Sequence, residues 1–127
     1  MSLDFNGNTG LIIVPTRLWG PSRDTVVRLA LDTGATGSMI NWDILVMLGY
    51  DPAATPNRIH MTTGSGVEFV PVLMVQKIQA MKLILQNFPI LCHTLPPSAT
   101  VDGVLGLDFF REKKLSIDFR QGRLELE

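Results

Sequence analysis

The sequence predicts an all-β domain with one or two short helices, and three observations predict it. Apolar and branched residues come in short runs, Gly and Pro punctuate those runs at close intervals, and only two stretches, 41–48 and 107–113, look helical. The chain has 127 residues, the length of a single domain, read here as spanning 1–127. It is 46% hydrophobic and 18% charged, enough apolar material for a core and too little charge for a disordered chain.

The elements follow in order. Leu11–Leu18 is rich in branched residues and interrupted by Pro15, which lacks an N–H and suits an edge strand or a bulge. Gly20-Pro21-Ser22 is a turn, and Thr25–Leu31 alternates as a strand buried on at least one face. Asn41–Leu48 reads as a helix, with Asn41 as its cap, Ile44, Leu45 and Leu48 as its apolar stripe, and Gly49 just past its end. Arg58–Thr63 and Val67–Val75 flank Gly64-Ser65-Gly66, the pattern of a β-hairpin with a small tip. Lys82–Leu91 is a further strand, and Pro96-Pro97-Ser98 ends that region. Leu107–Lys113 suggests a second short helix, whose exposed end would carry Arg111, Lys113 and Lys114 in favourable register with its dipole. Leu115–Phe119 and Arg123–Glu127 form a terminal hairpin around Gln121-Gly122. No internal repeat is present. Met1-Ser2-Leu3 and Leu126-Glu127 read as candidate additions to a natural chain that would then be longer.

Composition also excludes function classes. The net charge is -1, with no basic stripe and no aromatics interleaved with Lys and Arg, so nucleic acid is not an expected partner. The apolar runs are too short and too broken to cross a membrane as a helix, and the first residues lack a signal-peptide pattern. The single cysteine, Cys92, suits a reducing compartment, and the expected location is cytoplasmic, as a free domain or as part of a longer or anchored protein. Cys92 and His93 are adjacent and would point to opposite faces of a strand, so they do not read as a nucleophile and its base; a buried thiol is the simpler reading. His60 and His93 stand apart from any metal-ligand spacing, so neither metal nor other cofactor is expected. Gly64-Ser65-Gly66 lacks the Lys and following helix of a phosphate loop. Trp19 and Trp42 are expected in the core or at a dimer contact.

The chemistry sits in Leu29-Ala30-Leu31-Asp32-Thr33-Gly34-Ala35. An apolar strand delivers an acid into a turn of small residues, where the N–H groups of Gly34 and Ala35 could donate to the carboxylate. By itself this is also the pattern of an ordinary turn or cap. A second segment, Val104-Leu105-Gly106-Leu107-Asp108, sets two apolar residues before a glycine at a strand-to-helix junction. The order Asp32-Thr33-Gly34-Ala35, then Thr63-Gly64-Ser65-Gly66, then Val104-Leu105-Gly106 resembles the retropepsin-like aspartic proteases. Leu105-Gly106-Leu107-Asp108 followed by Ile117-Asp118 is especially similar to the bacterial members and to the protease domain of the eukaryotic DNA-damage-inducible proteins.

That resemblance, which runs from about Leu11 to the end, implies a retropepsin-like closed β-barrel and aspartic endopeptidase activity on an extended polypeptide. It implies that Asp32 is the catalytic acid and that Thr33 bonds the partner's equivalent turn. It implies that Gly34 contacts the substrate backbone, that Thr63, Gly64, Ser65 and Gly66 form a flap, and that Val104, Leu105 and Gly106 brace the Asp turn from behind. The chain holds one Asp-Thr-Gly, so the second acid is expected from the same residue of a symmetric partner in a homodimer. Two carboxyls sharing one proton can both activate water and protonate a leaving nitrogen. The flap departs from the pepsin pattern by lacking Tyr or Trp, which leaves substrate capping to backbone groups and to Thr62 or Thr63. Ala35 stands where pepsins often have Ser, which implies a less acidic optimum. Asp102 is expected in a turn, and Asp108 as a structural acid pairing with an Arg of either chain. The rival class is a non-catalytic peptide-binding or assembly module on the same fold; an intact Asp32-Thr33-Gly34 favours the enzyme.

Overall fold

The computed structural model describes residues 1–127, the side chain of Thr63 excepted. Its strands are β1 (Ser2–Asp4), β2 (Ile13–Trp19), β3 (Asp24–Leu31), β4 (Met39–Asn41), β5 (Arg58–Thr63), β6 (Gly66–Ala80), β7 (Leu83–His93), β8 (Gly103–Leu105), β9 (Leu115–Asp118) and β10 (Arg123–Leu126). One helix, α1 (Trp42–Met47), and two 3-10 turns, at Pro52–Ala54 and Leu107–Phe110, complete the chain.

Six strands close a barrel in the order β2-β3-β8-β4-β7-β6, with β2 pairing back onto β6 through Arg17–Gln79, Leu18–Ile78 and Trp19–Lys77. Closure leaves these strands no long open edge. Alternation decides which face each strand buries: in β3, Val27 and Leu29 are buried while Val26 and Arg28 are exposed. The interior is filled by Val14, Leu18, Leu29, Ile40, Ile78, Ile90, Leu105 and Phe109, each at most 1% exposed. Each fully buried Leu, Ile or Phe contributes on the order of 1.5–3 kcal/mol relative to exposure. Pro15 sits where β2 pairs with β3 alone, before the β6 contacts begin at Arg17, so its missing N–H breaks no ladder on that open side. Tyr50 ties the seam: its hydroxyl donates to Trp19 O at 2.6 Å and accepts from Gln76 N at 2.8 Å.

β5 hangs on β6 outside the closed barrel and forms a hairpin with its tip at Gly64-Ser65. A second sheet, β1-β10-β9, packs Leu124 and Leu126 into the core, at 0% and 1% exposed. Ser2–Asp4 pair with Arg123–Glu125, and Leu126 pairs with Leu115.

Several local expectations need correcting. The helix expected over 107–113 is only a four-residue 3-10 turn, Leu107–Phe110. Phe109 and Phe110 are both buried, and two adjacent side chains aimed inward suit a tight turn better than a helix with one apolar stripe. Arg111, Lys113 and Lys114 therefore follow no helix; all three are exposed, and Lys114 instead exchanges two backbone hydrogen bonds with Glu127. Asn41 precedes α1 but its side chain makes no capping bond, and Asn41 Oδ1 is buried without a partner among the described residues. The C-terminal signal is sound: Gly49 takes φ +102°, and the N–H groups of Gly49 and Tyr50 bond Val46 O and Leu45 O. Trp19 is only half-buried and lies beneath Lys77 Nζ at 4.2 Å and Arg17 Cζ at 5.8 Å, so it is a cation–π platform at the strand end and not a core residue. Trp42 does pack against the core.

Candidate active site

The site is built where β8 wedges between two strands. β3 and β8 run parallel with Leu29–Gly103, Ala30–Val104 and Leu31–Leu105 in register, and β8 pairs antiparallel with β4 on its other side. The loop 32–38 joins β3 to β4 and so must arch over the end of β8. Gly103 is the residue that lets the wedge in: a Cβ there would lie 2.0 Å from Met39 O. Gly106 is equally confined, its virtual Cβ 2.7 Å from Ala35 O and 3.0 Å from the Gly37 backbone.

Asp32 is exposed at the end of β3, whose preceding residues Leu29 and Ala30 are buried. Its N–H donates to Leu105 O at 3.0 Å, and its Oδ1 accepts from Gly34 N at 2.9 Å. The second expected donor is different: Ala35 N bonds the main-chain oxygen of Asp32 at 3.2 Å, closing the turn and leaving the carboxylate one backbone donor. Leu107 N donates to Ala35 O at 2.9 Å, so the segment Val104-Leu105-Gly106-Leu107 contacts the Asp turn from behind at both of these points.

In front lies a cleft of about 480 Å³. Asp32, Gly34 and Ala35 form its floor with Val104, while Ile59–Thr62 of β5 form the opposite wall. Met39, Leu91, Ile59 and Met61 make the lining largely apolar. The hairpin tip, Gly64-Ser65, extends beyond this wall, with Gly66 at φ +126°; the expected contribution of the Thr63 side chain lies outside the described residues. Thr33 turns away from the cleft. It is exposed and borders a separate hollow with Leu11, Leu31, Ile117 and Phe119.

Sequence reasoning missed Ser38. It is 0% exposed, and its Oγ accepts from Gly106 N at 2.9 Å while donating to Asp108 Oδ1 at 2.7 Å. Its own N–H donates to Asp108 Oδ2 at 3.0 Å. Asp108 is therefore structural as expected, but among the described residues its partner is Ser38 and no Arg. The only signal was a small polar residue entering an apolar strand, Ser38-Met39-Ile40. Asp102 likewise does more than turn the chain: its carboxylate accepts from Arg28 N at 2.8 Å, and its own N–H donates to Arg28 O at 2.8 Å.

Cys92 is 2% exposed, and burial pushes its thiol up to about 11, with a backbone bond from Leu73 and the Arg58 charge acting in the opposite sense. Burial likewise raises the Tyr50 hydroxyl, against the lowering effect of its bond from Gln76 N. His93 does not pair with Cys92: its Nε2 lies 3.2 Å from Glu68 Oε2 and its Nδ1 2.9 Å from Thr94 O. His60 packs edge-on against Phe69 at 4.3 Å. Among the described residues no group of three or more His, Cys, Asp or Glu is placed to hold a metal ion, and no helix is long and apolar enough to cross a membrane.

A six-strand closed barrel, with an Asp-Thr-Gly turn braced by an apolar-apolar-Gly segment and faced by a hairpin, defines the retropepsin-like class of aspartic protease domains. The aspartyl protease family model matches residues 14–109, and the chain belongs to that family. Its structure is similar to that of a retropepsin-like aspartic protease from Rickettsia conorii, with TM-score 0.75 and 16% identity over 99% of this chain and 88% of the other. It is also similar to the retroviral protease-like domain of Ddi1 from Leishmania major, with TM-score 0.59 and 16% identity over 94% and 90%. No curated protein matches the sequence.

Proposed function

We propose that this chain is one protomer of a homodimeric aspartic endopeptidase, in which the Asp32 carboxyls of two copies share one proton and hydrolyse an extended polypeptide. The observation that carries the reading is the placement of Asp32: an exposed acid at the floor of an apolar cleft, one oxygen fixed by Gly34 N–H, in a loop backed by Leu105–Leu107. A lone acid could orient water or protonate a leaving group, but not both at once. A pair holding one proton does both: the ionised carboxylate takes a proton from water as it attacks, and the protonated one polarises the carbonyl. The proton then passes to the departing nitrogen, and no covalent enzyme intermediate forms.

The second acid is supplied by symmetry. A two-fold axis beside Thr33 would bring the two Asp-Thr-Gly turns together, and the same side carries exposed Leu11 and Phe119, at 46% and 69%. The hairpin of β5 and β6 is then the flap: its Ile59–Thr62 arm already walls the cleft, and glycines at its tip permit the movement that admits substrate. Leu105, Gly106 and Leu107 hold the turn from behind, while Val104 lines the cleft floor. Apolar lining by Met39, Met61 and Leu91 suits apolar substrate side chains, while the exposed edge of β5 offers backbone groups to an extended chain.

The test is cleavage of unfolded protein substrates across pH by wild type and by Asp32→Asn. Asp32→Asn is nearly isosteric, so it should leave the fold intact and lower turnover by about 10²–10⁴ or more. Comparable turnover by the purified variant would remove Asp32 from the chemistry. Equal peptide binding by both proteins with no cleavage by either would instead identify a binding module.

A further inference from the structure

We propose that Ser38 and Asp108 are positioning residues for Asp32, and that their side chains set the geometry of the whole catalytic loop. The inference rests on the proteolytic reading but concerns residues that make no contact with the cleft's acid. Three of the anchors of the loop 32–38 fall on the single run Leu105–Asp108. Asp32 N bonds Leu105 O at 3.0 Å, and Leu107 N bonds Ala35 O at 2.9 Å. Both are main-chain bonds that any residue but proline could make. The third anchor, at the far end of the loop, is made by side chains: Gly106 N–H to Ser38 Oγ at 2.9 Å, Ser38 Oγ–H to Asp108 Oδ1 at 2.7 Å, and Ser38 N–H to Asp108 Oδ2 at 3.0 Å.

The polarity of this anchor is fixed. Gly106 N–H can only donate, so the hydroxyl proton of Ser38 must point to Asp108. The carboxylate then accepts two bonds, one on each oxygen, which ties the rotation of the Leu107–Phe110 turn to the path of the chain at Ser38. Ser38 has no slack: it is 0% exposed, and its carbonyl accepts from Leu91 N at 3.0 Å. Gly106 lies within contact of the Ala35 and Gly37 backbone, so loosening Ser38 loosens the surface against which the Asp turn rests. An amide in place of the Asp108 carboxylate has only one oxygen; it cannot accept both bonds with separate oxygens, so it must lose one or reverse the relay.

The experiment compares the wild-type chain, Ser38→Ala, Ser38→Thr, Asp108→Asn and Asp32→Asn. The substrate is a fluorogenic peptide copied from a site that wild type cleaves in unfolded casein. Misplacing a reacting group by about 1 Å costs on the order of 10²-fold. A smaller displacement is expected here, so Ser38→Ala and Asp108→Asn should lower kcat about tenfold with KM within about twofold. Ser38→Thr keeps the hydroxyl and should return most of the rate. Amide hydrogen exchange gives a second readout that needs no activity. Gly34 N–H bonds the Asp32 carboxylate and touches neither Ser38 nor Asp108, so its exchange should quicken about tenfold in the same two variants and not in Ser38→Thr. Wild-type kcat in Ser38→Ala and Asp108→Asn, or wild-type Gly34 exchange in both, overturns the proposal. If wild type cleaves no better than Asp32→Asn, the proteolytic reading fails, and Gly34 exchange alone decides whether this pair holds the turn. Should Ser38→Ala not fold, Asp108→Asn, which keeps the side-chain shape, carries both measurements.

Discussion

Replacing Gly106 by Ala tests the brace directly, because the structure says what the added methyl would strike. Its Cβ would lie 2.7 Å from Ala35 O and 3.0 Å from both Gly37 C and Gly37 O. These are backbone atoms of the catalytic loop, so no side chain can rotate away. Ordinary carbon–oxygen contact needs more than 3.4 Å, so the loop or the brace must move by several tenths of an ångström. Overpacking of this kind costs about 1–3 kcal/mol. For a domain of this size that lowers Tm by roughly 3–12 °C. The displaced atoms include Ala35 O, whose bond from Leu107 N helps fix the turn, so the carboxyl of Asp32 should shift with them. Turnover should then fall about 10–100-fold, beyond what loss of folded protein explains at an assay temperature well below Tm. Gly64→Ala is the matched control for stability alone, since nothing lies within 4 Å of its virtual Cβ. The assay is kcat/KM on a fluorogenic peptide together with thermal unfolding of both variants. Wild-type Tm and turnover in Gly106→Ala would show that the loop is not held by contact at this position.

Four further outcomes follow from the same geometry. Specific activity should fall on dilution as protomers separate, and an active monomer by sedimentation would rule out a shared site. Exchanging Gly64 for Val should slow turnover and leave Tm nearly unchanged, because the tip supplies mobility and nothing lies within 4 Å of the added Cβ; unchanged proteolysis would mean that the hairpin is no lid. Ala35→Ser should move the pH profile of cleavage toward acid by about half a unit to one unit, since a hydroxyl donating to the Asp32 carboxylate favours its charged form; a shift toward alkali would refute this. The folded-state thiol of Cys92, pushed up to about 11, stays neutral where the unfolded thiol ionises, so its contribution to stability is complete below pH 9 and declines as pH rises from about 9 to about 11. Alkylation of the native protein by iodoacetamide at pH 8 should accordingly be many times slower than of the unfolded chain, and equal rates would show an accessible thiolate.

Much of this architecture was legible because local signals agreed with the fold. Val27 and Leu29 alternate with exposed neighbours in β3, Gly64-Ser65 marks one hairpin, and Gln121-Gly122 the other, with Gly122 at φ +68°. The reach of β6 and β7 was not legible. Their shared turn is Met81-Lys82, both at positive φ, where the usual Gly or Asn signal is missing and tertiary pairing imposes the conformation. β1 is three residues long with one inward apolar side chain, Leu3, too little for a period. The acid and its turn were visible, but the Ser38–Asp108 pair was not. Its partners are 70 residues apart, and only β8, passing between β3 and β4, brings them together. Local periodicity carries no information about such a wedge.

The balance of forces at the proposed dimer contact has a consequence for how the enzyme would be switched on. Burying the still-exposed parts of Leu11 and Phe119, 46% of one and 69% of the other, would contribute roughly 2–3.5 kcal/mol per protomer, or about 4–7 kcal/mol for the two together. Joining two chains costs about 4–15 kcal/mol in lost freedom. Those side chains and a Thr33–Thr33 bond therefore leave association close to balance. A polypeptide lying across the axis adds contacts to both protomers at once: to the cleft floor of each, and to each hairpin wall through Ile59 and Met61. Ligand that binds the dimer and not the monomer shifts the equilibrium toward the dimer by mass action. Substrate would in this way help assemble the site that cuts it, and the protomer concentration for half-maximal activity should fall as peptide concentration rises. A concentration dependence that ignores the peptide would place the stabilising contacts elsewhere, in the terminal sheets and away from the cleft.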